Sequence, residues 1–142
     1  MQNSKNEYES LKSNIDIIHQ ISAELLNADL IDASTIDKNS VPQEKGIYIW
    51  RFIDGGRPAY IGVGLGRKGL QQRVLGQHLK SSYTKSVFRK AIEEEMTIPT
   101  ESSVNFIRSH FSFSFITCND PAVAKAVEAT LIATLKPKYN KI

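Results

Sequence analysis

The chain has 142 residues, which is enough for one domain with a hydrophobic core and too few for two ordinary domains. Hydrophobic residues make up 41% of it and charged residues 23%, as in a soluble globular protein, and no apolar stretch approaches the roughly 18 residues of a membrane span. The single cysteine, Cys118, excludes an internal disulfide, and the sequence has no Cys/His cluster for zinc. We therefore expect a reducing, cytoplasmic setting and no membrane partner.

The formal net charge of +3 is unevenly distributed along the chain. Residues 1–40 carry three lysines against seven acidic residues, a net charge of −4, whereas residues 41–142 carry fifteen basic residues against eight acidic ones, a net charge of +7. Eight basic residues and no acidic residue lie between Arg57 and Lys90. A long stretch of one sign favours a polyanionic partner such as a nucleic acid.

Apolar residues near the N-terminus recur at steps of three, four and seven positions. This spacing predicts an acidic, amphipathic helix over residues 7–31, followed by a polar connector over residues 32–40. We assign residues 1–40 to an N-terminal unit and residues 41–142 to the main domain. The helix either packs on that domain or makes a homodimer contact, and the pattern leaves both arrangements open.

Residues 46 to 62 read GIYIWRFIDGGRPAYIG and predict a β-hairpin. The strands are 46–52, which is rich in β-branched and aromatic residues with alternate side chains from Tyr48 to Phe52 on one face, and 58–62. The Asp-Gly-Gly sequence between them tolerates the positive φ angles of a tight turn. The hairpin therefore places Tyr48 and Tyr60 on adjacent antiparallel strands.

The remaining elements follow from periodicity and from helix start and stop signals. We predict helices at 70–80, 86–96 and 122–135 and a strand at 111–118. Gly76 weakens or kinks the first of these helices. The last helix has Asp120 as a candidate N-cap and Pro121 at its first position.

Glu128 interrupts the apolar stripe of the last helix. At 100° per residue its carboxylate lies among the apolar positions Ala124, Leu131 and Leu135. A buried carboxylate needs a cation, a hydrogen bond or a raised pKa. A structural ion pair with an arginine and a ligand role for Mg²⁺, which prefers oxygen donors, are both consistent with this position.

Five landmarks in order along residues 41–142 resemble the motifs of the GIY-YIG nuclease family. They are Gly46-Ile47-Tyr48, Tyr60-Ile61-Gly62, Arg73 on the next helix, Glu128 in an E-x-x-L setting and Asn140 in the sequence Pro137-Lys138-Tyr139-Asn140. The resemblance implies an α+β fold, with a small three-stranded antiparallel sheet flanked by helices. The strands predicted at 46–52, 58–62 and 111–118 would form that sheet.

The resemblance also implies a metal-dependent endonuclease that hydrolyses phosphodiester bonds in DNA, one strand per active site. Glu128 would bind Mg²⁺ or Mn²⁺, and Arg73 would hold the phosphate through its planar guanidinium. Tyr48 would be the general base, although its ordinary pKa of about 10 is too high unless nearby positive charge lowers it. Tyr60 would orient the phosphate or the attacking water, and Asn140 would maintain the geometry of the site.

One position departs from the family pattern. Many relatives have His or Tyr four residues after the arginine, where this chain has Gln77, and His78 follows one residue later. On a regular helix His78 lies about 140° from Arg73, against about 40° for Gln77. Either Gly76 distorts the helix and admits His78 to the site, or the base works without a histidine.

The basic stretch supplies the candidate DNA contacts. They are Arg57, Arg67, Lys68, Arg73, Lys80, Lys85, Arg89 and Lys90. RNA is not excluded as a substrate. The alternative from another functional class is a catalytically inactive nucleic-acid-binding or protein-binding module on the same scaffold.

Overall fold

The structure is a computed structural model that describes residues 2–141. It contains five α-helices, four strands and two short helical turns in those residues. In chain order these are α1 (Gln2–Leu26), β1 (Ile31–Asp32), a 3₁₀ turn (Ala33–Thr35), β2 (Gly46–Phe52), β3 (Pro58–Gly64), α2 (Gly69–Arg73), a π-helical turn (Val74–His78), α3 (Val87–Met96), α4 (Thr100–His110), β4 (Phe111–Thr117) and α5 (Pro121–Leu135).

The strands form one antiparallel sheet in the order β1-β4-β2-β3. The α+β class and the three predicted strands are confirmed, but the predicted strand number is wrong because the sheet has four strands. The additional strand β1 pairs Ile31 with Phe113 and Asp32 with Ser112. Two residues are too few to produce the alternating pattern by which a strand is recognised in a sequence.

The sheet has apolar side chains on both faces. Tyr48 and Trp50 of β2 pack on one side with α3 and α4, as alternation along the strand predicts, whereas Ile47 and Ile49 pack on the other side with α1 and α5. The hairpin turn is also confirmed, with φ of 82° at Gly55 and 68° at Gly56. Helices therefore cover both faces, and β3 remains as an edge strand.

The C-terminal segment runs along the open edge of β3. The backbone N–H of Lys138 donates to the Pro58 carbonyl at 3.2 Å, and that of Tyr139 donates to the Ala59 carbonyl at 2.8 Å. These bonds satisfy backbone groups that an edge strand would otherwise expose. The part of β3 beyond Ile61 lies past these bonds, and side chains can approach it from either face of the sheet.

The N-terminal unit differs from its predicted form. Helix α1 ends at Leu26 and not near residue 31, because Ile31 enters the sheet beside Phe113. The predicted connector is also more than a polar link, since Ala33 and Ile36 are buried in the core. Isolated apolar residues in a polar stretch carry no periodic signal, so tertiary packing alone reveals their burial.

Helix α4 was not predicted. Its buried apolar residues, Val104 and Ile107, are only three positions apart, which is too short a stripe to predict a helix. None of the helices within residues 2–141 combines the length and hydrophobicity needed to cross a bilayer.

Candidate active site

The helix predicted over residues 70–80 contains a change in its helical winding. Regular α2 ends at Arg73, and residues Val74–His78 form a π-helical turn in which the N–H of Leu79 donates to the carbonyl of Val74 at 2.8 Å. A π turn accommodates one more residue than an α turn. His78 therefore points into the protein and is only 2% exposed, so the distortion anticipated at Gly76 does admit this histidine to the site.

Tyr48 and His78 are in direct contact. The Tyr48 Oη lies 2.6 Å from Nε2 of His78, and Nδ1 of His78 lies 2.8 Å from Oγ of Ser86. Gly62 pairs with Tyr48 in the sheet, and a Cβ atom at position 62 would collide with the Tyr48 hydroxyl. The glycine of Tyr60-Ile61-Gly62 thus makes room for the first tyrosine.

A cleft of about 140 Å³ lies at the outer edge of β3. Because β3 is an edge strand, side chains from opposite faces of the sheet meet there. Its lining residues are Tyr48, Tyr60, Gly62, Val63, Arg73, Gln77, His78, Lys85, Ser86, Val87 and Glu128. Four of the five landmark motifs, which are separated by up to 80 residues in the chain, therefore contribute to one cleft.

Arg73 is held by the edge strand and by its own helix. Its Nε–H donates to the Val63 carbonyl at 3.1 Å, and its Nη1 donates to Oε1 of Gln77 at 2.8 Å. Gln77 thus orients the arginine. A guanidinium has five N–H donors, so three have no protein partner among the described residues. Those three are free to bind an anion.

Glu128 reaches the cleft from α5 and is half-buried. The only ion pair within residues 2–141 joins Lys138 to Glu95, so the sequence alternative of a structural ion pair for Glu128 is not realised. Burial raises the pKa of Glu128 above its usual range, and the positive charges of Arg73 and Lys125 oppose that rise.

The donor set fits a hard divalent cation that keeps most of its water. The described residues contain no group of three His, Cys, Asp or Glu side chains that could enclose a metal. Mg²⁺, however, is commonly held by one or two carboxylates together with water and substrate phosphate. The carboxylate of Glu128, which has no ion-pair partner among the described residues and opens into the cleft beside the unused N–H donors of Arg73, meets that requirement.

Two titratable aromatic side chains of the site, Tyr48 and His78, are uncharged at neutral pH. Burial, followed by the nearby Tyr60, raises the pKa of Tyr48 well above its usual value of 10, and Arg73 only partly opposes this. Positive charge therefore does not lower the pKa of Tyr48 below its ordinary value, contrary to the condition stated for a general base. Burial and the charges of Arg73 and Arg89 lower the pKa of His78 to about 3, so its imidazole is also uncharged at neutral pH.

Asn140 lies outside the cleft lining and acts on the backbone. Its Oδ1 accepts from the N–H of Ile61 at 2.8 Å, and its Nδ2 donates to the Ile61 carbonyl at 2.9 Å. The side chain thus pairs with the middle residue of Tyr60-Ile61-Gly62 and anchors the edge strand between Tyr60 and Gly62.

Seven of the eight predicted DNA-contact residues are exposed. They are Arg57, Arg67, Lys68, Arg73, Lys80, Lys85 and Lys90. The prediction is wrong for Arg89, which is 1% exposed. A run of charges does not specify which of its residues lies on the inward side of a helix.

Arg89 is a structural residue that connects loops. Its guanidinium donates to Oγ of Ser103 at 2.9 Å and to the carbonyls of Lys80, Tyr83 and Thr100. Ser86 was not predicted as a site residue, although its position at the start of a helix was. A serine at the first position of a predicted helix gave no sign of the contact with His78 across the loop.

Comparison with known proteins finds similar chains among solved structures. No family model and no curated protein matches the sequence. Among solved structures, the chain is similar to the GIY-YIG N-terminal endonuclease domain of UvrC from Thermotoga maritima bound to its catalytic divalent cation, magnesium, with 25% identity, a TM-score of 0.42, and coverage of 86% of this chain and 97% of that domain. A point mutant of the same domain, bound to its catalytic divalent cation, gives 25% identity, a TM-score of 0.43, and coverage of 87% and 97%. The family named in these structures is the one that the five sequence landmarks resemble.

Proposed function

We propose that this chain is a GIY-YIG-type, metal-dependent endonuclease that hydrolyses phosphodiester bonds in DNA, one strand per active site. The observation that carries the proposal is the cleft at the edge of β3, where Tyr48, Tyr60, Arg73 and Glu128 converge from both faces of the sheet. A phosphodiester hydrolase needs a phosphate clamp, a proton acceptor for water and charge stabilisation at the leaving oxygen. This cleft contains a residue type for each task.

The phosphate clamp is Arg73. Its hydrogen bonds to the Val63 carbonyl and to Gln77 use two N–H donors and hold the guanidinium plane in place. The remaining donors are left for a non-bridging phosphate oxygen. Tyr60, which lies with its ring centroid 6.4 Å from that of Tyr48, is placed to orient the phosphate or the attacking water through its hydroxyl. Asn140 acts indirectly by holding the strand that carries Tyr60.

The proton acceptor is Tyr48. As a base, its phenolate oxygen takes a proton from the attacking water while the water oxygen bonds to phosphorus and the bond to the 3′ oxygen breaks. Glu128 would hold Mg²⁺ or Mn²⁺, and the bound cation would polarise the phosphate and stabilise the leaving 3′ oxygen. The high pKa of Tyr48 at rest means that its deprotonation needs a supporting donor nearby.

The seven exposed basic residues form the proposed DNA-binding surface. Lys85 and Arg73 line the cleft itself, and the other five lie elsewhere along residues 57–90. We assign the substrate as DNA, in a cytoplasmic setting, and residues 41–142 as the nuclease unit. Sequence-independent contacts of this kind are made mainly to the phosphate backbone.

We further propose that α1 joins two copies of the chain. Its apolar stripe is buried against the main domain at Leu25, but Tyr8 is 75% exposed, and Leu11 and Ile15 are each 55% exposed. The N-terminal half of α1 would be only marginally stable as an isolated helix in water, so a partner surface would stabilise it. Two such nuclease units would cut both strands of a duplex.

An antiparallel arrangement of the two α1 helices is the one that sterics favour. In a parallel pair, the partner helix would run along residues 18–25, where α5 already covers the same stripe. In an antiparallel pair the two exposed halves overlap, and the two nuclease units lie at opposite ends. The second copy then covers Tyr8, Leu11 and Ile15 without displacing α5.

The direct test is cleavage of supercoiled plasmid DNA by the full chain, with Mg²⁺ or Mn²⁺ and then with excess chelator. We expect nicking that requires the cation and that falls by about 10²-fold or more in Tyr48→Phe and in Glu128→Gln. Tyr8→Phe and Glu101→Gln are matched controls, because both residues are exposed and lie outside the cleft. Tight binding of DNA without cleavage in either cation would instead identify an inactive binding module.

A further inference from the structure

One wall of the cleft comes from the segment that leads into α3. Lys85, Ser86 and Val87 line the cleft and belong to none of the five landmarks. Ser86 has extended backbone, with φ of −69° and ψ of 118°, and its buried side chain turns inward to contact His78. Successive side chains of an extended segment point to opposite sides. Lys85 and Val87 are both exposed, so they present a cation and an aliphatic group side by side at the cleft.

This segment is held in place from inside the protein. The Arg89 guanidinium donates to the carbonyls of Lys80 and Tyr83 and thus fixes the loop before α3. The backbone N–H of Arg89 also donates to Oγ of Ser86 at 3.2 Å, which caps α3 directly before Val87. A substrate that contacts Val87 therefore meets a backbone that is already ordered. An ordered contact loses little free energy to the ordering of the protein on binding.

Val87 is the only one of the exposed large apolar side chains among the described residues that lines the cleft. It is 50% exposed, and the other exposed residues of the lining, Arg73 and Lys85, are charged. Phosphate, a metal cation and water interact with charged and polar groups and make no favourable contact with a valine. Val87 is therefore suited to an apolar part of a substrate.

The size of the cleft indicates which part of a nucleic acid that is. Its volume of about 140 Å³ is well below the roughly 300–1,000 Å³ of pockets that enclose a whole small molecule. Within the proposed function, the cleft takes the scissile phosphate at Arg73 and a cation at Glu128, and the bases stay outside. The sugars are bonded directly to that phosphate. They therefore lie at the rim of the cleft, where the methyl groups of Val87 are exposed.

We propose that Val87 is a specificity-determining residue that packs against C2′ of a sugar adjoining the scissile phosphate and thereby selects deoxyribose over ribose. The inference rests on the proposed nuclease function and deepens it by assigning the choice of DNA to one residue. A ribose in the same place would bring its 2′-hydroxyl against the valine methyl groups, where it loses water and gains no hydrogen bond. The 2′-hydroxyl is the group by which a protein distinguishes RNA from DNA at a given site. Lys85, beside Val87, is placed to bind a neighbouring phosphate and so to fix the sugar.

Cleavage at a mapped bond tests the discrimination. A duplex that the wild-type chain nicks at a defined bond is prepared again with a single ribonucleotide on either side of that bond, and kcat/KM is compared after subtraction of the rate in chelator. We expect wild type to favour deoxyribose by about tenfold at one of the two positions, because a hydroxyl in an apolar contact is rejected only moderately. Val87→Thr replaces one methyl group with a hydroxyl at nearly constant volume and should reduce the preference to about threefold or less. Equal rates of wild type on both sugars, or an unchanged preference in Val87→Thr, would overturn the proposal.

Ile53 provides a matched control. It is 49% exposed, almost the same as Val87, and lies next to the hairpin turn outside the cleft lining. Ile53→Thr should leave the preference for deoxyribose unchanged, and both threonine variants should melt within a few degrees of wild type because both side chains are exposed. An equal loss of preference in Ile53→Thr would show that the effect does not arise at the cleft and would overturn the proposal.

A binding measurement separates this inference from the nuclease proposal. Carbon-13 NMR of the wild-type chain in chelator follows the methyl signals of Val87 and Ile53 as a short single-stranded DNA, or the RNA of the same sequence, is added. A sequence without thymine or uracil makes the two ligands differ only in their sugars. We expect the Val87 signals alone to shift, and at lower concentrations of DNA than of RNA. If wild type cleaves no DNA while this result holds, the nuclease proposal fails and the sugar contact stands. If wild type cleaves DNA while the Val87 signals stay unchanged, the nuclease proposal stands and the sugar contact fails.

Discussion

Tyr48 and His78 are 30 residues apart in the chain, and their side chains meet at 2.6 Å because the helix after β3 widens by one residue between them. On a regular helix Gln77 and not His78 would lie beside Arg73. The π turn lets both residues serve the site, since Gln77 binds the guanidinium of Arg73 and His78 turns inward to the tyrosine. The π turn thus brings His78 to the tyrosine although Gln77 is the residue beside Arg73.

The buried His78 should make the protein sensitive to acid. Its pKa is lowered to about 3 in the folded state by burial and by Arg73 and Arg89, against about 6.5 when unfolded. The unfolded chain therefore binds more protons below pH 6.5, and the stabilisation by neutral His78 is lost as the pH falls from about 6.5 toward 3, by up to about 1.4 kcal/mol per pH unit. Chemical denaturation from pH 7 to pH 4 should show this slope. The slope should flatten in His78→Gln and persist in His19→Gln, which alters an exposed histidine.

Glu128→Gln should separate activity from stability. Burial raises the pKa of Glu128, so the folded state disfavours the ionised carboxylate. The free energy of unfolding therefore decreases as the pH rises above the pKa that this carboxyl has in the unfolded chain. At pH 7 the amide variant should therefore melt at a higher temperature than wild type while losing metal-dependent cleavage. Glu101→Gln, which alters an exposed residue in the first turn of α4, serves as the control. A lower melting temperature for Glu128→Gln would contradict this account of the site.

Neighbouring positions Arg89 and Lys90 should respond differently to the same change. Arg89→Leu removes a buried guanidinium that pairs with several carbonyls, so the free energy of unfolding should fall by more than about 2 kcal/mol. Lys90→Leu alters an exposed side chain and should change it by less than about 0.5 kcal/mol while weakening DNA binding. Equal losses of stability in the two variants would show that Arg89 is misassigned as structural.

DNA affinity should depend strongly on salt. If about five phosphates are neutralised by the exposed basic residues, log K should fall against log[salt] with a slope of about −4 to −5. Replacing Lys80 with alanine should reduce the magnitude of that slope by about one. Fluorescence anisotropy with a short duplex between 50 and 200 mM salt, roughly the range in which such effects are large, measures this directly. A slope near zero would mean that the basic stretch is only a solvated face.

The dimer proposal can be tested with the full chain. Leu11→Ser combined with Ile15→Ser removes two exposed apolar residues of α1 and should yield a folded monomer by light scattering, one that nicks DNA but cuts both strands poorly. Ile17→Ser is the matched control, because Ile17 is also exposed at 40% but lies on a different side of the helix. A wild-type chain that stays monomeric at high concentration, both alone and on DNA, would exclude this role for α1.

The sequence by itself determined most of the local elements and indicated most of the residues that line the cleft. The β-branched and aromatic run around Tyr48, the glycines of the hairpin turn and the Asp120-Pro121 start of α5 act through short-range backbone preferences, which a sequence exposes directly. Glu128 was recognisable because a carboxylate on an apolar stripe conflicts with helical periodicity. These signals need no knowledge of distant neighbours.

Tertiary structure alone decided the remaining features. The two-residue strand β1, the burial of Arg89 and the contact of Ser86 with His78 depend on what lies across the fold, because a short segment or a single polar side chain has no periodicity of its own. The same holds for the inward turn of His78. The side chain points inward because the π turn contains one residue more than an α turn. Packing against the sheet determines whether a helix accommodates that additional residue, and intrinsic helix propensity does not describe such packing.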